Sequence, residues 1–428
     1  MKKCSTSSYN QQFSVFPKLT IHLPDLTVNN CPQIVVIIFC CIWGFACHPT
    51  PTPQSAWQLV QLPSSSDSQY PNLHASDSGI FLSWLQDKDS LSYLRYRSFD
   101  GTHWNDPQTI ASGTNWFVNW ADFPSIHQMS SGKLIAHHLA KNGKGTYAYG
   151  VRLTSKSPQQ DDWLTIGYAH TDSSETEHGF ASFFDLTADY SAIVWLDGRA
   201  YAENEKGPMS LRMARLNEEG IPLEEQVLDA RVCDCCQTDA VKTPHGAIVV
   251  YRDRSDTEVR DIYRVLYRDG KWSSPMPVHT DDWIIAGCPV NGPAVASANQ
   301  EVAVAWFSRG NNQARVQLAF SLDEGESFGP PIRIDLGNPE GRVDLVMLED
   351  GSAWVSWIEL EGGKGHLYVR QVFQDGQLSA AEAVSGISQS RASGFPILEQ
   401  WNNELWLSWT AVRDSFPSEL VLQRRKLD

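Results

Sequence analysis

A short strand core recurs along this chain at a spacing that few folds can accommodate. Its copies are FLSWL (81–85), IVWLD (193–197), VVYRD (249–253), VAWFS (304–308), VSWIE (355–359) and LSWTA (407–411). Aligned on the aromatic, Trp84, Trp195, Tyr251, Trp306, Trp357 and Trp409 stand 111, 56, 55, 51 and 52 residues apart. The first gap is twice the period, and LIAHHLA (134–140) fills it, with His138 in the aromatic place. A fixed period of this size is the signature of a propeller or a repeat array.

Each copy sits inside the same plan of four strands. In the first these are PNLHA (71–75), FLSWL, SYLRYRSF (92–99) and PQTIA (107–111), all alternating apolar with polar residues. A single four-stranded sheet cannot bury both faces, so the copies must stack around an axis and share a core. The expected fold class is all-β: a single β-propeller of seven four-stranded blades over residues 57–428, with six blades as the alternative. The last copy ends at SELVLQRRKL (418–427) without an outer strand, and SAWQLVQLP (55–63) can supply it and close the ring. The 16 Trp and 13 Tyr suit such a well-cored β protein.

Residues 1–46 read as a leader. The 13-residue apolar run from Ile34 to Ala46 is too short to span a bilayer and suits the core of a signal peptide. Ala46 before Cys47 points to a lipoprotein cleavage site, with Cys47 lipidated and residues 47–56 a Pro-rich tether. The expected location is therefore a bacterial cell envelope, lipid-anchored on the periplasmic or outer-membrane side, with secretion as the alternative. Any contact with the membrane runs through the lipid, and a monomer is expected. The formal charge of -16 excludes nucleic acid as a partner.

One hairpin, SLDEGESF (321–328), resembles the S-x-D-x-G-x-x-W/F Asp-box of sialidase-like propellers, through Ser321, Asp323, Gly325 and Phe328. Degenerate relatives occur at SFDGTHW (98–104) and YRDGKW (267–272). DARVCDCCQTDA, YRDRSDTEVRD and GCPVNGPAVA further resemble an exported bacterial subgroup of that family carrying a CDCC motif. The resemblance implies a glycosidase of the exo-sialidase kind, in which three Arg clamp a sugar carboxylate while a Tyr–Glu pair and an Asp do the chemistry. The F/Y-R-I-P segment that carries the first Arg in sialidases is absent here.

Blade topology assigns loops to faces. Loops between blades and loops joining second to third strands emerge together, and they hold nearly all the unusual polar residues. Arg199, Arg254, Arg260, Arg342 and Arg391 are candidates to bind an anionic ligand through guanidinium forks; the competing reading pairs them with acids such as Asp197, Asp253, Asp261 and Asp344. Glu177, His178 and Asp122 are the catalytic acid/base candidates, beside His170, Asp172 and Asn119. Tyr251 and Tyr263, near Glu258, are nucleophile candidates that core packing also explains. Cys233, Cys235 and Cys236 lie in one inter-blade loop and Cys288 in the next. They can form two disulfides, such as Cys233–Cys288 with a vicinal Cys235–Cys236 ring, or hold Zn or Cu(I). No other cofactor is expected. The functional expectation is recognition, and possible hydrolysis, of an anionic saccharide or small-molecule ligand at the axis. The alternatives are a non-catalytic binding propeller and a metal or redox role for the cysteines.

Overall fold

The computed structural model describes residues 56–62, 66–204, 207–413 and 417–427. The leader and Cys47 lie outside them. Seven antiparallel four-stranded sheets, blades I to VII, follow one another along the chain. Their second strands are Gly79–Lys88, Leu134–Lys141, Ser191–Asp197, Gly246–Arg252, Glu301–Ser308, Ala353–Glu361 and Glu404–Ala411. These are the repeat cores read from the sequence. In blade IV the outer strand is split into Lys271–Trp272 and Met276–Pro277, both paired with the third strand.

The repeat aromatics are the blade cores. Trp195, Tyr251, Trp306 and Trp357 are fully buried, with Trp84 and Trp409 nearly so. A buried indole N–H needs an acceptor. Asp197 serves Trp195 at 2.9 Å, Asp281 serves Trp306 at 2.7 Å and Glu359 serves Trp357 at 2.8 Å. In blade II, His138 stands in the aromatic place, and Trp116 from the preceding inter-blade loop stacks on it at 4.2 Å.

The ring closes as expected. Gln58 and Leu59 pair antiparallel with Arg424 and Gln423 of the strand Glu419–Lys426, giving blade VII its fourth strand from the start of the propeller. Trp57 beside them is buried among side chains of blades VI and VII.

The Asp-box of blade V turns on a closed set of bonds. Ser321 Oγ accepts the Gly325 N–H at 2.8 Å, and Asp323 accepts the Ser321 hydroxyl at 2.6 Å and the Ser327 N–H at 2.9 Å. Phe328 packs on the core shared with blade IV, and Arg264 of blade IV lies over its ring while donating to Gly325 O and Glu326 O. The hairpin thus latches one blade to its neighbour. Gly325 has φ +87°, and a Cβ there would meet Ile248 Cδ1 at 2.7 Å.

Two stability effects follow. Gly325→Ala is expected to cost about 1–3 kcal/mol, from strained backbone and the clash. Trp57→Ala is expected to cost about 3–5 kcal/mol by emptying the closure core. Urea unfolding of both variants checks this, and a change within error of zero for Trp57→Ala would show that ring closure contributes nothing.

Candidate functional site

Inner strands carry unpaired edges toward the axis, and side chains of the preceding blades satisfy them. Asp239 accepts Val295 N–H at 2.7 Å, Asp344 accepts Leu398 N–H at 2.7 Å, and Glu399 accepts Ala75 N–H at 3.2 Å. A cavity of about 520 Å³, lined by all seven inner strands, runs along the axis between them. Its carboxyls are buried among like groups, and this desolvation pushes Asp239 and Glu399 up to about 7 and Asp344 well above its ordinary range.

Asp122 belongs to the same system at the face. It is 2% exposed, accepts Phe180 N–H at 2.8 Å and lies 2.8 Å from the Tyr149 hydroxyl. That hydroxyl is also 2.7 Å from Glu177 Oε1. Gly179 makes room for this, since a Cβ there would meet Asp122 Oδ2 at 2.0 Å. Burial raises Asp122 to about 7 despite the two donors. Burial also raises Glu177, partly offset by the Tyr149 bond and increased by the charges of Asp122, Asp234 and Cys288, to about 8. Glu177 as a whole residue is half-buried, while its carboxyl lies deep enough for burial to be the main cause of its raised value. Tyr149, fully buried and stacked on Phe117 at 4.1 Å, is pushed well above 10 by burial and by both carboxylates.

Beside this triad His178 is fully buried. Its Nε2 lies 3.0 Å from Asp172 and 3.7 Å from Asp197, and its ring stacks on His170 at 4.0 Å. Asp197 receives Arg199 through Nε and Nη2 at 2.7 Å each, and Arg199 also meets Glu225 at 2.6 Å. Burial opposes charge on Asp197, but the Arg199 bonds and His178 outweigh it and hold the group at about 2.

On the next two loops Arg254 bonds Asp234 at 3.0 Å and Glu258 at 2.8 Å. Arg260, 3% exposed, donates to Glu258 at 2.8 Å and to Cys233 Sγ at 3.1 Å. Cys233, Cys235 and Cys236 meet here as free cysteines, and the free Cys288 is exposed on the next inter-blade loop. Of the remaining sequence candidates, Arg342 is buried, donating to Ser393 Oγ and Gly394 O at 2.8 Å. It shares the face of Trp120 with the exposed Arg391. Tyr251 is a core residue donating to Asp229 at 2.7 Å.

The structure therefore brings Asp122, Glu177, His178, Arg199, Arg254, Arg260 and the cysteines onto neighbouring loops of blades II to V, and sets Arg342 and Arg391 around Trp120, two residues from Asp122 in the same loop. The five arginines do not converge as one clamp. Those nearest the acids are already ion-paired. Sequence reasoning missed Tyr149, Asp234, Arg252 and Arg309. Arg252 is fully buried, spanning Asn291 O, Arg260 O and Phe307 O with Trp283 under its guanidinium. The exposed Arg309 makes no hydrogen bond or ion pair among the described residues; it lines a groove of about 780 Å³ that also holds Cys288, Asn291, Asn338 and Glu340.

Neither a family model nor a curated protein matches the sequence. Solved structures do. A Dyadobacter fermentans protein of unknown function aligns with TM-score 0.50 and 11% identity over 87% of this chain and 98% of its own. The polysaccharide lyase Uly1 aligns with TM-score 0.50 and 10% identity over 83% and 89%. This chain folds as a seven-bladed β-propeller. The Hadza microbial sialidase Hz136 is also similar, with TM-score 0.49 and 12% identity over 80% of this chain and 74% of that one.

The propeller's buried groups set its pH response. The raised carboxyls Asp122, Glu177, Asp239 and Glu399 hold protons in the folded state that the unfolded chain has released, so stability falls as pH rises toward 7–8. The buried His137, His138 and His170, lowered by desolvation to about 3, 4 and 4, act in the opposite sense, but only below their unfolded value near 6.5. Thermal midpoints are expected to fall from pH 6.5 to 7.5, less steeply in Glu177→Gln. A midpoint that rises over this interval would contradict the assignment.

Proposed function

We propose that this propeller recognises an anionic saccharide on the face formed by its inter-blade loops, with Glu177 as the proton donor of a glycan-cleaving reaction. The observation that carries the reading is the groove of about 780 Å³ along which Arg309 makes no ion pair among the described residues, although Asp282 and Glu340 line it as well. A guanidinium not committed to a carboxylate is available to a uronate or sialate. Cys288 lines the same groove and lies close enough to Glu177 to raise it electrostatically. A carboxyl that stays protonated near pH 7 is equipped for general acid chemistry, and Glu177 is linked to the groove through Cys288. Asp122 and Tyr149, shut off from solvent, position Glu177 rather than touch the ligand.

Structures of this fold include a polysaccharide lyase and a sialidase, so saccharides are ligands the scaffold accommodates. An exported chain, anchored through Cys47, would meet such polymers outside the cytoplasm. The ion pairs of Arg199, Arg254 and Arg260 support a distribution of roles in which those residues hold the loops and Arg309 meets the anion.

A panel of uronate- and sialate-containing oligosaccharides, screened for binding by calorimetry and for turnover by reducing-end release, tests this. Arg309→Ala is expected to weaken binding about tenfold, roughly 1.4 kcal/mol, without unfolding the chain. Glu177→Gln is expected to leave binding in place and lower kcat by about 10²–10⁴. The wild-type rate should decline as pH rises through about 8, where Glu177 loses its proton. Binding without turnover, unchanged in Glu177→Gln, would reduce the propeller to a saccharide-binding module. No binding across the panel would remove the reading altogether.

A further inference from the structure

The loop after the strand Pro222–Val232 gathers three sulfurs at one point. Cys233 Sγ lies 3.5 Å from Cys236 Sγ and 3.9 Å from Cys235 Sγ, and all three fall within 4.8 Å of one another. The fourth, Cys288 of the next inter-blade loop, is exposed and stands outside that 4.8 Å group. A disulfide needs sulfurs about 2.0 Å apart. A tetrahedral thiolate site with metal–sulfur bonds of about 2.3 Å needs them about 3.8 Å apart, the scale seen here.

The surroundings are built for anionic sulfur. The Cys233 N–H is bonded to Arg252 O at 3.0 Å, which pins the loop to blade IV. The buried Arg260 points Nη1 at Cys233 Sγ from 3.1 Å, and Glu258 holds that guanidinium in place at 2.8 Å. An outer shell of this kind orients ligands and offsets their charge. Cys233 and Cys236 are 1% and 2% exposed, whereas Cys288 opens to solvent and lines the groove, so the cluster is closed beneath and accessible at one edge.

We propose that Cys233, Cys235, Cys236 and Cys288 bind one soft d10 metal ion, Cu(I) or Zn(II), at the edge of the groove. Soft thiolates select these ions over Mg, Ca or Mn. Each ligating thiol releases its proton to solvent as its metal–sulfur bond forms, and no electron is transferred when the ion is supplied as Cu(I) or Zn(II). The proposal does not depend on saccharide recognition, because Arg309 and Glu177 lie outside the ligand set.

The test uses the full chain, reduced and handled without oxygen, titrated separately with Zn(II) and Cu(I) against chromophoric chelators. One ion per chain is expected. Arg260→Gln should weaken it about 10–100-fold through the outer shell. Cys288→Ser, at an exposed position that folding does not need, separates the ions: a loss of about 100-fold or more for Zn(II) marks a four-sulfur Zn site, and retention of Cu(I) within about threefold marks a three-sulfur Cu(I) site. Two results overturn the proposal. One is affinity for both ions that is the same in wild type, Arg260→Gln and Cys288→Ser. The other is an isolated chain with two disulfides by intact mass that takes up neither ion after reduction.

Discussion

An inner strand of a propeller blade has a neighbour on one edge only, and its other edge would leave backbone donors unpaired beside the axis. Buried N–H groups cannot be left in that state without a penalty of about 1–3 kcal/mol each. This protein meets the constraint with side chains reaching from the preceding blade around the ring. Asp122 accepts from Phe180, Asp239 from Val295, Asn291 from Arg342, Asp344 from Leu398 and Glu399 from Ala75. The last of these crosses the closure of the ring, so one type of bond joins sheets that share no backbone ladder.

The same constraint shapes the chemistry of the face. An acceptor used in this way is buried, and burial of several carboxyls around one axis keeps protons on them near neutral pH. Asp122 is both an inter-blade fastener and a buried charge that adds to the burial holding a proton on Glu177, against the Tyr149 bond, which lowers it. The fastening of the fold and the readiness of Glu177 to donate a proton therefore share an origin. Arg252 plays the cationic counterpart one blade further on, collecting three carbonyls and setting Cys233 where Arg260 can reach it.

Charge on this face is mostly spent internally. Arg199 with Asp197 and Glu225, and Arg254 and Arg260 with Asp234 and Glu258, form closed networks that hold the loops. What remains open is narrower: Arg309 in the groove, Arg391 over Trp120, the edge of Glu177 and the Cys288 thiol.

The periodic aromatic cores, the four-strand plan and the Asp-box turn were legible in the sequence, because strand pairing and hairpin turns are decided by residues a few positions apart, and the closure by the segment around Trp57 was legible because the last repeat lacks its outer strand. Even the outlying blade II was readable, since the apolar alternation around His138 persists without the aromatic. The face each loop occupies followed from the same period. Which side chains meet there did not follow, because Tyr149 and Asp122 are 27 residues apart, and so are Arg260 and Cys233. Their encounter depends on how neighbouring blades are rotated about the axis. An arginine's role depends on whether an acid lies within reach, and only the tertiary structure decides that: it pairs Arg199, Arg254 and Arg260, buries Arg342 beside Ser393 and the Gly394 carbonyl, and gives Arg309 no ion pair among the described residues.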